Sequence, residues 1–440
     1  MTDDHAIRQK MRADWDQRAR EDARYYVAFG RRGQNQEEFL ATAGEALHAI
    51  RIELGRFGSR QPASLEALEI GCGPGRLLLP LSRTFGRVVG VDVSPEMIER
   101  ARRNLEEISN ARAELNSGAD LGEFPAESFD FCYSHAVFQH VPSRQVMLEY
   151  LREAWRVLRP GGVLKCQLNG APDPPDRSPD TWSGVRFRAG ELRAFCHAHD
   201  FQLLSLAGAE TQNLWIVARK RPSGWAGGLR PVPGARLVGI SNSWSADRVV
   251  PAAGRYASAS LWVEGLTGDA DLNNLEVEIA GRRQPPCYVG EQLDRGPVQV
   301  NVFLPAGTPT GPALTRLWML GEPISNHARL RVIPPPPRVP RLLGASDGIN
   351  LLSGPRIETR TVRLEAEEVG CASADALAGD LRIEIDGEEL DALEICPVDP
   401  LAERYAASAK VPPRILAGPH QLGVHLRGRL LARLSVEIAE

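Results

Sequence analysis

Apolar and polar positions alternate in two different ways along this chain. Up to about residue 220, short apolar runs such as 65–70 and 87–91 are separated by helix-like patterns, the first over 76–84. That order of strand, helix and strand predicts an α/β domain. Beyond residue 220 the period shortens to two. Val298–Phe303 and Leu381–Ile385 place an apolar side chain at every second position, and turn residues recur at short intervals. This predicts sheet without crossover helices. Between the two regimes lies RPSGWAGGLRPVPG at 221–234, and a run of four prolines at 334–337 forms a second, stiff break.

The segments flanking that proline run read as copies. RLVGISN from Arg236 aligns with RLLGASD from Arg341 at an offset of 105, LEVEIAG with LRIEIDG at 106, and ARLRV with ARLSV at 104. Three matches in one order at a nearly constant offset mark an internal repeat. Copies of about 100 residues with this strand density predict two all-β sandwiches of immunoglobulin-like architecture, without the cysteine–tryptophan–cysteine pattern of antibody domains. The expected domains are therefore 1–220, 232–333 and 339–440. The linker composition implies few contacts across residue 220, and hence that 1–220 folds alone.

Candidate chemistry is concentrated in LEIGCGPGRLLLPLSRTFGRVVGVDVSPEMIERARRNL at 68–105. A strand runs into Gly71, Cys72, Gly73, Pro74 and Gly75, and a helix follows. Glycine lets the chain turn sharply and brings backbone against a ligand with no Cβ in the way. Unpaired N–H groups face outward at the start of the helix. The second strand ends in Asp92, where a carboxylate can accept both hydroxyls of a ribose. A tight structural turn would explain the glycines alone. It does not explain loop, helix, second strand and terminal acid together.

The spacing Glu69, Gly71, Gly73, Gly75 resembles motif I of the class I S-adenosylmethionine-dependent methyltransferases, and Asp92 the ribose-binding acid of their motif II. An acid ahead of the loop suits a cationic ligand better than a pyrophosphate. The similarity continues through Asp120 in SGADL, the strand SFDFCYS at 128–134, the loop 135–140, EAWRVLRPGG at 153–162, and strands at 163–168, 201–206 and 213–218. It covers about 65–219 and is close to the type 11 and 12 methyltransferases, which include ubiquinone and menaquinone biosynthesis enzymes. The resemblance implies a Rossmann-like seven-stranded sheet with its last strand antiparallel, and S-adenosyl-L-methionine as cofactor. Carried over by position, it implies cofactor contacts at Glu69, Gly71, Cys72, Gly73, Gly75, Asp92, Val93, Met97, Ala119, Asp120, Leu121, Ser134 and His135. Gly118 stands where many relatives carry an acid, which weakens the adenine contact relative to the ribose one.

His140 is the candidate general base, since imidazole titrates near neutrality. Packing of the loop after the fourth strand is its other reading, and the same pair of readings applies to His135. Residues 15–26, WDQRAREDARYY, resemble the helix that closes over cofactor in relatives; amphipathic packing is the alternative. Cys72 reads as a small packing residue. His197 and His199 point to different helix faces, which argues against a metal there.

Composition changes this picture little. The net charge of −4 and the confinement of lysine to Lys10, Lys165, Lys220 and Lys410 give no basic footprint, so no nucleic-acid partner is expected. Seven scattered cysteines without a CxxC pair argue against zinc or a disulfide framework and for a cytoplasmic protein. Neither a signal peptide nor an apolar run of membrane-spanning length is read. The methyl acceptor is not legible: a small molecule and a glycan held by the repeats both stand, and the repeats are expected to bind a partner or self-associate. Two competing readings remain. One is an interaction protein in which the repeats do the work and the front domain senses ligand or is a relic. The other is a nicotinamide oxidoreductase, which the glycine spacing disfavours.

Overall fold

The computed structural model describes residues 2–28, 32–172, 178–291, 296–349, 354–371 and 373–439. The region 170–188, in which no acceptor signature is read, lies partly outside them, at 173–177. The chain forms two compact units, Met1–Ala23 with Gln36–Pro335, and Arg24–Asn35 with Pro336–Glu440.

Helix α1 (Thr2–Ala28, kinked at Asp22) belongs to the first unit as far as Ala23, and α2 (Gln36–Ala41) and α3 (Gly44–Ile52) lie in that unit. Strands β1 (Glu66–Ile70), β2 (Arg87–Asp92), β3 (Ala111–Leu115), β4 (Phe129–Ser134), β5 (Leu158–Leu168), β6 (Phe201–Ala207) and β7 (Leu214–Lys220) follow. Interleaved with them are α4 (Leu78–Leu81), α5 (Pro95–Asn104), α6 (Arg144–Val157) and α7 (Ala189–Ala198). The strands lie in the order β3-β2-β1-β4-β5-β7-β6. The first five are mutually parallel, and β7 runs antiparallel to both β5 and β6. This is the Rossmann-like sheet expected from the sequence. The central strands β1 and β4 are buried along almost their whole length, as a parallel sheet covered on both faces requires.

The helix expected over 76–84 is a single turn, α4. Pro80 has no N–H to donate to the Arg76 carbonyl, so regular bonding does not extend through the segment. The N–H groups of Leu81, Ser82 and Phe85 still reach carbonyls four residues back.

The sheet does not end at β6. Beyond residue 220 come β8 (Arg236–Asn242), β9 (Val249–Pro251), β10 (Ser258–Glu264), β11 (Leu275–Ile279), β12 (Arg282–Gln284), β13 (Tyr288–Val289), β14 (Val298–Phe303), β15 (Gly311–Met319), β16 (Glu322–Pro323) and β17 (Ala328–Ile333). The two-residue strand β13 pairs Tyr288 antiparallel with Ser205 of β6, and the sheet continues β6-β13-β14-β10-β8 to a total of eleven strands. A second sheet has the order β12-β11-β15-β17-β9. One hydrophobic core runs from Met11 through Leu203 and Leu272 to Val332.

The contacts at this join correct the expectation of a sparse boundary at residue 220. Leu206 N–H donates to the Cys287 carbonyl at 3.0 Å and Leu272 N–H to the Leu203 carbonyl at 2.9 Å. Arg193 reaches the carbonyls of Leu272 and Pro286 at 2.6 and 2.9 Å, and Gln202 those of Gly268 and Ala270 at 2.7 and 2.9 Å. On the other face Glu53 holds both Arg56, at 2.6 Å, and Lys165 of β5, at 2.7 Å, while Arg56 donates to the Val289 carbonyl at 3.0 Å. All three charged side chains are nearly buried, so each needs the others. The first repeat is thus built into the same body as the Rossmann-like sheet.

In the second unit the repeat contributes β18 (Arg341–Asp347), β19 (Arg356–Ile357), β20 (Thr361–Glu367), β21 (Leu381–Ile385), β22 (Glu388–Leu390), β23 (Ala392–Asp399), β24 (Arg404–Lys410), β25 (Gly418–Leu426) and β26 (Arg429–Ile438). Its sheets have the orders β18-β20-β24-β23 and β19-β26-β25-β21-β22. Position for position this is the order of the first repeat, down to a lone parallel pair, β9 with β17 and β19 with β26. The likeness reaches single residues. Val238 is skipped in the pairing of β8 with β10, and Leu343, 105 positions later, in that of β18 with β20. Asn242 and Asp347, again 105 apart, are buried and accept backbone N–H groups from the following loop. Among the described residues no helix is long and apolar enough to cross a membrane.

Candidate active site

The carboxyl ends of β1, β2 and β4 carry the expected residues. After Ile70 the chain turns through Gly71, Gly73 and Gly75 at φ of 77°, 52° and 88°, the left-handed region that favours glycine. A Cβ on Gly71 would lie 2.4 Å from a methyl of Val137, so no larger residue fits there. The N–H groups of Gly71 and Cys72 both donate to the Val91 carbonyl, at 2.8 and 2.9 Å, which fastens the loop to β2. Cys72 turns its side chain inward against Gly90, where a Cβ would meet its sulfur at 2.8 Å, and burial pushes the thiol well above its ordinary range. It is a packing residue.

Asp92 organises the loop from the tip of β2. Its two oxygens accept the N–H groups of Gly73 and Ser94, each at 2.9 Å. Burial raises its pKa, against the lowering effect of those bonds. The Val93 N–H acts on the same carboxylate and lowers its pKa further. Ser94 caps α5 by accepting the Met97 N–H at 3.1 Å. Val93 packs beside Gly118, where a Cβ would approach it to 3.2 Å.

Glu69 is 4% exposed at the end of β1, and burial pushes its pKa up to about 8. The Tyr133 hydroxyl donates to it at 3.1 Å, and the Arg76 guanidinium pulls the value down while Asp92 pushes it up. Glu69, Arg76, Tyr133 and Asp92 therefore form one electrostatic cluster around the glycine loop. Because the folded state holds the Glu69 proton more tightly than the unfolded chain, this group favours folding most below about pH 4.5. Its contribution is lost as pH rises to about 8. Glu69→Gln is expected to abolish that part of the pH dependence, worth several kcal/mol. Urea unfolding from pH 5 to pH 9, run on both proteins, measures it; parallel profiles would remove Glu69 from this role.

The turn after β3 is held by Asn116, which the sequence reading did not single out. It is 2% exposed; its amide donates to the Asp120 carbonyl at 2.6 Å and its Oδ1 accepts from Gly118 N–H and the Tyr150 hydroxyl. Ala119 and Asp120 sit in this turn, and Asp120 Oδ1 is engaged by the Gly122 N–H at 3.1 Å. Leu121 is fully buried, with its N–H on Glu153 at 3.1 Å. Ser134 faces back into the sheet and donates to the Ile70 carbonyl at 2.9 Å.

Two neutral histidines stand beyond β4. A guanidinium can only donate, so His135 Nδ1 accepts from Arg76 at 3.2 Å and its proton sits on Nε2. Burial, then the Arg76 charge, pushes its pKa down to about 4. His140 is the converse. Its Nδ1 donates to the Trp182 carbonyl at 2.7 Å, which leaves Nε2 as an acceptor, 3.3 Å from the Gln139 amide. Burial drives its pKa to about 4 as well. The Trp15 ring meets His140 edge-on at 5.2 Å, and Arg18 lies over both Trp15 and Trp182.

Trp15 belongs to α1. Within the same helix Asp16 accepts Ser94 Oγ at 3.0 Å and the Glu96 N–H at 2.9 Å, and Arg12 donates to the Asn116 carbonyl at 3.1 Å. The leading helix thus lies across the tips of β2, β3 and β4. His197 and His199 stand apart on α7 and its end, and His199 packs on Phe195 at 4.3 Å.

Residues 68–166 match the family model for the methyltransferase domain. By that match the stretch is similar to methyltransferase domains. Among curated proteins, a 37.1 kDa uncharacterized protein in a transposon of Streptomyces fradiae is 39% identical over 30% of this chain and 37% of its own length. A trans-aconitate 2-methyltransferase of Azoarcus is 33% identical over 34% of this chain and 58% of its own. The chain thus spans between roughly a third and three-fifths of the length of these curated relatives. A solved methyltransferase structure from Methanosarcina mazei is 23% identical, covering 36% of this chain and 93% of its own, with a TM-score of 0.30.

Proposed function

We propose that the chain transfers a methyl group from S-adenosyl-L-methionine to an oxygen, nitrogen or carbon nucleophile of an acceptor that approaches His140. One observation carries this reading: two acidic side chains, the buried Glu69 and the half-buried Asp92, flank a loop of glycines pinned to β2. Glu69 gains its charge beside a cationic ligand and not beside an anionic pyrophosphate, which weighs against a nicotinamide cofactor. A ligand with an ammonium group and a ribose answers it: Asp92 accepts ribose hydroxyls, and Glu69 balances the positive charge.

The cofactor supplies a methyl group already activated for displacement by its attachment to a sulfonium. The protein's part is alignment and exclusion of water. Asn116 fixes the turn that carries Ala119, Asp120 and Leu121 along the adenine edge. Arg12, Trp15 and Asp16 of α1 cover the strand tips. His140 Nε2 takes the acceptor's proton where that acceptor must lose one, and it is neutral at any pH well above 4. Turnover is therefore expected to be flat between about pH 5.5 and 7.5. His140→Gln should lower it roughly 10²-fold without weakening cofactor binding. An inflection near 6.5 would contradict the neutral-histidine account.

The two repeats are read as tandem immunoglobulin-like sandwiches, supported by their common strand order, and the free cysteines support a reducing, cytoplasmic setting. The direct test of the cofactor assignment is chemical. Full-length protein purified rapidly without dialysis is denatured, and the extract searched by mass spectrometry for S-adenosylmethionine or S-adenosylhomocysteine. Near-stoichiometric recovery is expected, with none from Asp92→Ala; equal traces from both would count against the site.

A further inference from the structure

The lone pair on His140 Nε2 depends on a turn that lies outside the strands of the sheet. His140 Nδ1 donates to the Trp182 carbonyl at 2.7 Å. A neutral imidazole with its proton fixed on one nitrogen carries its lone pair on the other. Trp182 belongs to a turn at 180–183. The Asp180 N–H donates to the Ser183 carbonyl at 2.9 Å, and the Asp180 carboxylate accepts the N–H groups of Trp182 and Ser183 at 2.8 and 2.6 Å. The turn therefore moves as one piece, and whatever holds it also aims the Trp182 carbonyl.

Downstream the turn is tied to the loop after β4. Gly184 N–H donates to the Gln139 carbonyl at 2.7 Å and Val185 N–H to that of Val141 at 2.9 Å. A Cβ on Gly184 would lie 2.3 Å from the Val141 carbonyl oxygen, so the two backbones touch there. A second anchor comes from a distant part of the chain. Thr181, 3% exposed, donates its hydroxyl to Asp14 of α1, and Arg18 donates to that hydroxyl at 3.2 Å and to the Thr181 carbonyl at 2.9 Å. The period of 3.6 residues sets Asp14 and Arg18 on one side of α1 and Arg12 and Asp16 on the other. The latter pair engages Asn116, Ser94 and the Glu96 N–H. This part of α1 is thus wedged between the turn that orients His140 and the loops at the ends of β2 and β3.

We propose that Thr181 and Asp14 are positioning residues for His140: through the turn at 180–183 they hold the Trp182 carbonyl on Nδ1 and so keep Nε2 free to take the acceptor's proton. This role rests on the methyl-transfer reading of the site. The proton moves from the acceptor to the Nε2 lone pair, the bonding electrons stay on the attacking atom, and the imidazolium keeps its Nδ1–H on the Trp182 carbonyl. Without the Thr181 hydroxyl the turn is tied less firmly and its carbonyl swings away from Nδ1. The imidazole proton then distributes between the two nitrogens, and the form with Nε2–H has no lone pair there to receive another. Gln139, whose amide lies 3.3 Å from Nε2, accommodates either form by turning its amide and so does not fix the choice.

The tautomer is read directly by long-range proton–nitrogen correlation on the full chain, labelled with nitrogen-15 histidine, at pH 7. His140→Gln identifies the His140 signals by their loss. In the wild type Nδ1 is expected to carry the proton and Nε2 to resonate as a bare ring nitrogen. Thr181→Val is expected to raise the share of the Nε2–H form about two- to tenfold, the effect of one lost hydrogen bond, and Thr181→Ser to restore the wild-type spectrum. Asp14→Ala, at a side chain 26% exposed, is expected to reproduce the shift, and it carries the test should Thr181→Val fail to fold. A merely structural role for Thr181 would lower the melting temperature of Thr181→Val and leave the tautomer unchanged. Titration with S-adenosylhomocysteine reports separately on the cofactor. Arg12 and Asp16 still seat α1 in these variants, so each is expected to bind as the wild type does. No binding by the wild type would overturn the methyl-transfer reading, a failure that the spectra tell apart from this one. A wild-type His140 protonated on Nε2, or a tautomer unchanged in both Thr181→Val and Asp14→Ala, would overturn the proposal.

Discussion

A chain cut after residue 220 is expected to be insoluble or to lack a cooperative unfolding transition, whereas a chain cut after residue 335 is expected to fold. The reason lies in the join. Removing the first repeat strips β13 from the edge of β6 and exposes unpaired backbone groups along it, an invitation to aggregate. It also uncovers the apolar surface that is continuous with Leu266, Leu272 and Val289. Arg193, Gln202 and Arg56 each lose acceptors, at about 1–3 kcal/mol for every group left unsatisfied. Against a whole-domain stability of about 5–15 kcal/mol, losses of this kind are decisive. Circular dichroism and urea melts of the two fragments measure the difference. A soluble 1–220 fragment with a sharp transition would show that the join is dispensable.

Asp92→Ala is expected to lower affinity for S-adenosylhomocysteine by about 10²–10⁴-fold. Charge-assisted hydrogen bonds are worth about 1.5–3 kcal/mol each, and a ribose would take two. The carboxylate also holds the Gly73 and Ser94 N–H groups, so the variant loosens the loop as well as the ligand. Asp92→Asn separates the two effects. The amide oxygen preserves one backbone bond but brings no charge, so its affinity should fall between those of wild type and Asp92→Ala. Calorimetry on the three proteins decides; equal affinities would remove Asp92 from the site.

The parts of this fold that were legible in the sequence are those written in side-chain pattern. The buried strands β1, β2 and β4 are apolar runs, and the repeats declare themselves through an offset that the structure renders as a shared bulge at Val238 and Leu343. Glu69, the glycines and Asp92 were legible because their chemistry demands those residue types at that spacing. The join was not. It is made by backbone groups and by a strand of two residues, Tyr288 and Val289, too short to carry a period. Pro80 cut short a helix that the apolar pattern alone would extend. Asn116, Arg76 and Tyr133 were missed for different reasons. Asn116 is a single amide acting through its own turn, Arg76 reaches His135 from the loop only in the folded chain, and Tyr133 looks like one more core residue of β4.

The cluster of Glu69, Asp92 and the glycine loop is proposed as a site for S-adenosylmethionine. Isothermal titration of the full chain with S-adenosylhomocysteine at pH 7, repeated in buffers of different ionisation enthalpy, tests it most directly. One site per chain is expected. Proton release on binding is expected as well, because the ligand's ammonium group favours the charged form of a Glu69 whose pKa stands at about 8. Absence of binding at millimolar ligand, or binding with no proton released, would contradict it.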